Sequence, residues 1–164
     1  MKLKHFILYF FLVVVFFVSC ATAPDMLVFP AGDGVMYFLP ATEWKTKSND
    51  IAKLDITYLT GTDVLPAVNI TFIGKKTVPR KVTYTALQGA DVEYPLSNIK
   101  TLYADSKKRE LRITTEGDRD TLVSLLAANA FTLTAEIDGV LYTYTPHEWF
   151  ITLKDDFALT VLNQ

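Results

Sequence analysis

Short apolar-rich segments separated by turn residues follow one another along most of the chain after residue 34. Several of them alternate hydrophobic and polar positions with a period of two, which is typical of a β-strand with one buried face. The predicted strands are residues 35–39, 41–47, 51–60, 67–73, 81–86, 91–94, 98–104, 110–115, 131–137 and 140–145. Pro40 separates the first two, and Trp44 is expected to point inward. The pattern predicts a mainly β fold, an antiparallel β-sandwich or an open barrel with one or two short helices.

The clearest local prediction is a hairpin around Asp138-Gly139. These two residues suit a type I′ turn, which needs two consecutive positive φ angles. A two-residue loop also fixes the pairing of the strands, and directly opposed residues share a face. The expected pairs are Ile137 with Val140, Ala135 with Tyr142, and Leu133 with Tyr144. Together with Phe131 these residues are predicted to form one apolar face.

A first helix is predicted to begin within the polar segment 117–120. Asp118 or Asp120 can accept a hydrogen bond from the first free N–H groups as N-cap. The positions expected to face the core at helical spacing are Leu122, Leu125, Leu126 and Asn129.

The C-terminal segment fits two structures. Residues 145–148 have the form of a capping box with Pro146 as the first helical residue, which favours a helix with Trp149, Leu153 and Phe157 on one face. The alternative is a hairpin that turns at Asp155-Asp156.

The order of these C-terminal elements resembles the invasion-associated locus B family of exported bacterial proteins. The shared features are a polar helix over residues 120–128, a strand, the Asp138-Gly139 turn, a second strand and an amphipathic segment containing Phe150. The similarity covers about a third of the chain and implies an antiparallel β-sandwich without assigning any functional residue.

The N-terminus carries an export signal. Lys2 and Lys4 precede thirteen unbroken apolar residues, 6–18, which span about 20 Å as a helix and so fall short of the roughly 30 Å hydrocarbon layer. The end of the run resembles the lipobox of bacterial lipoproteins, although Phe17 stands where Leu is usual. This resemblance implies cleavage before Cys20, lipid on Cys20, and attachment to membrane lipid. An uncleaved anchor and an ordinary secretion signal are the alternatives.

The expected organisation is therefore a signal peptide over 1–19, a lipidated Cys20 with a tether over 20–34, and a single β-rich domain over 35–164. Cleavage leaves 14 of the 16 basic residues and all 18 acidic ones, a net charge of −4. That charge gives no indication of nucleic acid or an anionic surface as partner. Cys20 is the only cysteine, so no internal disulfide is possible.

The candidates for catalysis or metal binding each have a simpler explanation. His147 is a possible general base, but a position at a helix start favours a cap or surface role. Glu116, Asp118 and Asp120 offer oxygen ligands to a cation, yet helix capping explains them equally. Asp91 and Glu93 form an acidic pair such as a glycosidase uses, at a spacing that chance often produces. We therefore predict no catalytic, metal or cofactor site.

Two further groups of residues are candidates for binding. Basic clusters at 75–76, 80–81 and 107–109 lie in connections, where they are either solvated or able to meet anionic lipid. Tyr84, Tyr94, Tyr103 and Trp44 are able to stack on sugars, although such residues are more often core.

These observations predict a lipid-anchored bacterial envelope protein whose domain binds or scaffolds an envelope protein or glycan without catalysis. The alternative is a small hydrolase that acts on envelope glycan through acidic residues. An Asp directly after the lipidated Cys would resemble an inner-membrane retention signal. Position 21 is Ala, which favours the outer membrane.

Overall fold

The computed structural model describes residues 24–89, 93–128 and 131–162. The predicted signal, Cys20, Asp91 and Asn129 lie outside these ranges. Within them the chain forms ten strands and two helices. The strands are β1 Leu27–Ala31, β2 Gly34–Lys45, β3 Ile51–Leu59, β4 Ala67–Ile73, β5 Val82–Gln88, β6 Glu93–Pro95, β7 Ser97–Asp105, β8 Glu110–Glu116, β9 Thr132–Ile137 and β10 Val140–Pro146. The helices are α1 Arg119–Leu126 and α2 Glu148–Leu162.

All strand pairs are antiparallel and belong to one sheet in the order β6-β5-β9-β10-β2-β3-β4-β8-β7, with β1 added beside β2. The two ends of this order are neighbours in the chain, because only Leu96 separates β6 from β7. The N–H of Leu96 donates to the carbonyl of Thr85 at 2.9 Å. The sheet is therefore a nearly closed barrel, which confirms the predicted fold class.

The core lies inside this barrel and is sealed by α2. Alternate residues of the long strands point inward, and Trp44 is completely buried, as its position in the pattern predicts. Phe150 of α2 packs against Trp44 with ring centroids 4.7 Å apart. About two turns later, Phe157 contacts Tyr58 with ring centroids 5.2 Å apart. The apolar face of α2 thus closes the side of the barrel where β10 pairs with β2 at only two positions.

The N-terminal part of the sheet differs from the prediction. The segments 35–39 and 41–47 form one strand, β2, because Pro40 lies at a register shift between Leu39 and Thr42 where no ladder hydrogen bond is required. Part of the predicted tether, β1, pairs with β2 over five residues. Its backbone gains a sheet partner there, and residues 32–33 form the connection between β1 and β2.

The hairpin has the predicted register and turn. Asp138 and Gly139 have φ angles of 51° and 80°, and the three predicted residue pairs form. The predicted apolar face is wrong at its outer end, since Val140 is 51% exposed and Tyr142 is only half-buried. The reason is that β10 pairs with β2 only at Thr145 and Pro146, so its first half projects past the end of β2.

The C-terminal segment is a helix, as favoured, but it begins two residues later than predicted. Pro146 is the last residue of β10, and α2 starts at Glu148. This shift rotates the buried face, so Phe150, Leu153 and Phe157 enter the core while Trp149 stays half-buried.

Candidate functional site

His147 lies exposed at the start of α2 and acts as its cap. Its Nδ1 accepts a hydrogen bond from the N–H of Trp149 at 3.3 Å, and its own N–H donates to the carbonyl of Glu43 at 2.9 Å. These contacts agree with the surface and capping role that the sequence favoured, although the residue caps the helix rather than lying inside it.

The acidic residues before α1 are also used structurally. Asp118 is the N-cap, and its Oδ2 accepts from the hydroxyl and the N–H of Thr121 at 2.7 and 2.9 Å. These hydrogen bonds hold the pKa of Asp118 below its usual range. Glu116 instead accepts from the side-chain amide of Asn98 at 2.6 Å. Among the described residues no three metal-ligating side chains cluster.

The remaining sequence candidates do not form one surface. Trp44 and Tyr94 belong to the core, whereas Tyr103 is 44% exposed on β7. Tyr84 donates its hydroxyl proton to Glu93, and this hydrogen bond raises the pKa of Tyr84 to about 12. Asp91, the proposed partner of Glu93, lies outside the described residues.

The three basic clusters, in contrast, come together at one end of the barrel. The N–H of Gly74 donates to the carbonyl of Arg109 at 2.9 Å, and the guanidinium of Arg109 donates to the carbonyl of Lys75. Lys75 in turn donates to the carbonyl of Ser48 and lies 3.2 Å from a carboxylate oxygen of Asp50. Three connections, 46–50, 74–81 and 106–109, are therefore adjacent.

The hairpin turn joins the same end. Asp138 accepts hydrogen bonds from the N–H groups of Arg80 at 3.2 Å and Lys81 at 2.9 Å. Its carboxylate thus fixes the 74–81 connection against the 138–139 turn. We call these four connections the basic end of the barrel.

Charge is strongly unbalanced between the two ends. The basic end contains eight exposed cations, namely Lys47, Lys75, Lys76, Arg80, Lys81, Lys107, Lys108 and Arg109. Its connections contain Asp50 and Asp138, and Asp105 and Glu110 flank the 106–109 turn. The connections described at the opposite end, 32–33, 60–66 and 117–118, contain Asp33, Asp63 and Asp118, and Arg119 at the start of α1 donates to the carbonyls of Thr62 and Val64 there. Among the described residues, Lys75 is the only one of the eight cations in an ion pair.

An open cleft of about 330 Å³ lies within the basic end. Phe72, Ile137 and Tyr144 contribute to its apolar wall, while Lys75 and Lys76 stand at its margin. Burial raises the pKa of Tyr144 above its usual value, and its hydroxyl is protonated at neutral pH, as that of any tyrosine is. The arrangement offers cations and a neutral hydroxyl beside an aromatic wall, which suits an anionic group with an apolar part.

Asp50 holds the margin of this cleft in place. Hydrogen bonds from Ser48, followed by those from Lys75 and Thr46, keep the pKa of Asp50 below its usual range. The sequence identified seven of the eight cations of this region but not Lys47, nor the roles of Asp50 and Tyr144, because these depend on strands that are distant in the chain.

Neither helix of the described residues combines the length and the apolarity needed to cross a bilayer. Comparison with protein-family models, with curated proteins and with solved structures gave no match for this chain.

Proposed function

We propose that this chain is a bacterial envelope lipoprotein, anchored through Cys20, whose barrel binds an anionic envelope component at its basic end without catalysing a reaction. The observation that carries the binding role is the convergence of three separate basic clusters at one end of the barrel, where one of them, Lys75 and Lys76, lines a cleft. The strand order brings these connections together, and the mutual repulsion of their like charges is a cost that an anionic partner would relieve. Such convergence is typical of a surface that meets an anionic partner.

The acidic and histidine residues support a binding role over the hydrolase alternative. His147, Asp118 and Glu116 are engaged in capping and surface hydrogen bonds. A hydrolase needs two carboxylates held at a defined separation across a substrate site. The cleft of the basic end has Asp50 and Asp138 in its lining, and each is engaged with the adjacent backbone or with Lys75.

Binding is tested with a labelled polyanion. The purified lipidated protein, held in an uncharged detergent, is titrated with fluorescein-labelled inorganic polyphosphate and followed by fluorescence anisotropy. The variant Lys75→Glu/Lys76→Glu should weaken binding by about tenfold or more, and binding should fall steeply as salt rises. The matched control Lys53→Glu/Lys100→Glu changes the net charge equally on the strands and should have a much smaller effect. Equal effects of the two variants would contradict a site at the basic end.

Catalysis is tested separately with peptidoglycan fragments and with generic glycoside and ester substrates. We expect no turnover by the purified protein. Turnover that disappears when one carboxylate is replaced would reject the binding proposal and support the hydrolase.

A further inference from the structure

The basic end also carries an exposed apolar tip. Val140 is 51% and Leu141 65% exposed, and both directly follow the Asp138-Gly139 turn. Leu141 lines a shallow depression together with Lys45, Lys47 and Ser48. Aliphatic side chains surrounded by cations match a surface that is anionic outside and apolar beneath, which is the order of layers in a lipid bilayer.

We propose that the basic end docks on the surface of an anionic lipid bilayer, with Val140 and Leu141 entering the headgroup region. The inference rests on the proposed function, because it names lipid as the anionic partner of that same surface. Its lysines and arginines contact lipid phosphates, and the cleft beside Lys75 and Lys76 has room for a headgroup.

Local charge, rather than net charge, decides the orientation. The twelve residues of β2 connect the two ends and span up to about 40 Å along the strand, whereas electrostatic interactions in physiological salt decay over about 8 Å. A membrane at the basic end therefore meets the excess of cations described above. A membrane at the opposite end would meet Asp33, Asp63 and Asp118 beside Arg119, without an excess of cations.

The tether approaches the barrel from the side that this orientation requires. β1 begins at Leu27, opposite Phe38, and runs away from the basic end, so the chain reaches β1 from the basic side. Seven residues separate Phe38 from Lys45 at the end of β2, a distance of about 23 Å along the strand. Cys20 precedes Leu27 by seven residues too, which reach about 24 Å when extended. An extended tether thus brings Cys20 to the level of Lys45, on the side of the barrel where the proposed bilayer lies.

A lipid surface is favoured over a soluble polyanion by the apolar tip. A soluble glycan or phosphate would be attracted to the lysines and arginines but would gain nothing from Val140 and Leu141. The tip and the cations together fit a bilayer, and a soluble anion remains as an outcome that the experiment separates.

The experiment measures the depth of the hairpin tip in the lipidated protein. Leu141→Cys introduces a thiol that is labelled with an environment-sensitive fluorophore after reconstitution in vesicles, because lipidated Cys20 does not react. Val64→Cys is the matched control, since Val64 is 59% exposed in the connection at the opposite end. Vesicles contain phosphatidylcholine alone or with phosphatidylglycerol, and nitroxide lipids report contact with the bilayer.

We expect the label at position 141 to be quenched strongly in phosphatidylglycerol vesicles, weakly in phosphatidylcholine, and less as salt rises. The label at position 64 should remain in water in both. Adding Lys75→Glu/Lys76→Glu should reduce the docked population by about tenfold.

Mass spectrometry establishes whether the protein is lipidated. If lipidated protein keeps the label at position 141 in water on anionic vesicles, the docking proposal is overturned and the anchor is unaffected. If polyphosphate binding also persisted in such a protein, the basic end would be a site for a soluble anion. A protein whose Cys20 accepts the label is not lipidated, and that result would contradict the proposed function itself.

Discussion

The ion pair between Asp55 and Arg112 shows how a single residue departs from its sequence pattern. Asp55 lies on the polar face of β3, where alternation predicts solvation, yet it is only 3% exposed. Its Oδ2 lies 2.7 Å from Nη2 of Arg112, and its Oδ1 accepts from the side-chain amide of Asn69 at 2.8 Å. Both partners come from other strands, so residues near Asp55 in the chain carry no sign of its burial.

Replacing Asp55 with alanine should lower the free energy of unfolding by about 2 kcal/mol. Loss of one partner of a fully buried pair costs about 3–5 kcal/mol, and the partial exposure of Arg112 reduces that cost. The control pair is Glu43 and Lys45, whose side chains are 2.7 Å apart but largely exposed, and Glu43→Ala should cost less than about 1 kcal/mol. Urea denaturation with a double-mutant cycle measures both couplings. Similar costs for the two replacements would contradict a special role of Asp55.

At the start of α1 the prediction concerns pH. Hydrogen bonds from Thr121 lower the pKa of Asp118. Its ionised carboxylate therefore stabilises the folded state at pH values above 3.8, the ordinary pKa of an aspartate. This contribution is lost as the pH falls through the lowered pKa. Asp118→Asn should keep the cap and abolish that part of the pH dependence, whereas Asp118→Ala should lower the urea midpoint at neutral pH. A midpoint that responds to a chelator would instead indicate a bound cation.

The β9–β10 hairpin gives a prediction at the level of an element. Tyr144 is 2% exposed and packs against Phe72 at 5.9 Å, while Tyr142 lies further along the projecting half of β10. Tyr144→Ala should therefore cost about 3–5 kcal/mol, and Tyr142→Ala clearly less. Val140→Ala, at an exposed position, should stay within about 0.5 kcal/mol. Equal costs along the strand would mean that the whole apolar face is core, as alternation alone suggests.

Element identity was predictable where local chemistry determines it. The alternation over 67–73 matches β4, and the Asp138-Gly139 turn fixes the pairing of its flanking strands because the loop has only two residues. The prediction that a strand ends at Pro40 is wrong. The register shift that accommodates Pro40 belongs to the pairing between β2 and β3, which the local sequence does not show. The helix α2 starts later than predicted because residues 145 and 146 belong to β10 and pair with β2.

At the scale of the whole molecule, net charge concealed the candidate site. A mature charge of −4 pointed away from anionic surfaces, yet the sheet order places eight cations in three of the four adjoining connections. Each basic cluster was visible in the sequence, but their convergence depends on pairings such as β4 with β8 and on the contact of Lys75 with Ser48 and Asp50. The excess of cations at the basic end becomes visible only when the charges of each connection are counted in the known strand order.

The last prediction concerns the proposed lipid anchor, on which the proposed orientation of the whole domain depends. Cys20→Ser removes the thiol that acylation requires, so the protein should remain unprocessed or become soluble. Two or three acyl chains give stable membrane attachment where a single chain is marginal, so the effect on fractionation should be nearly complete. Mass spectrometry of the mature wild-type protein should find lipid on Cys20. Ala21→Asp is the control, because it should keep the lipid and move the protein from the outer to the inner membrane. An unmodified thiol at Cys20 in the mature protein would contradict the lipoprotein proposal.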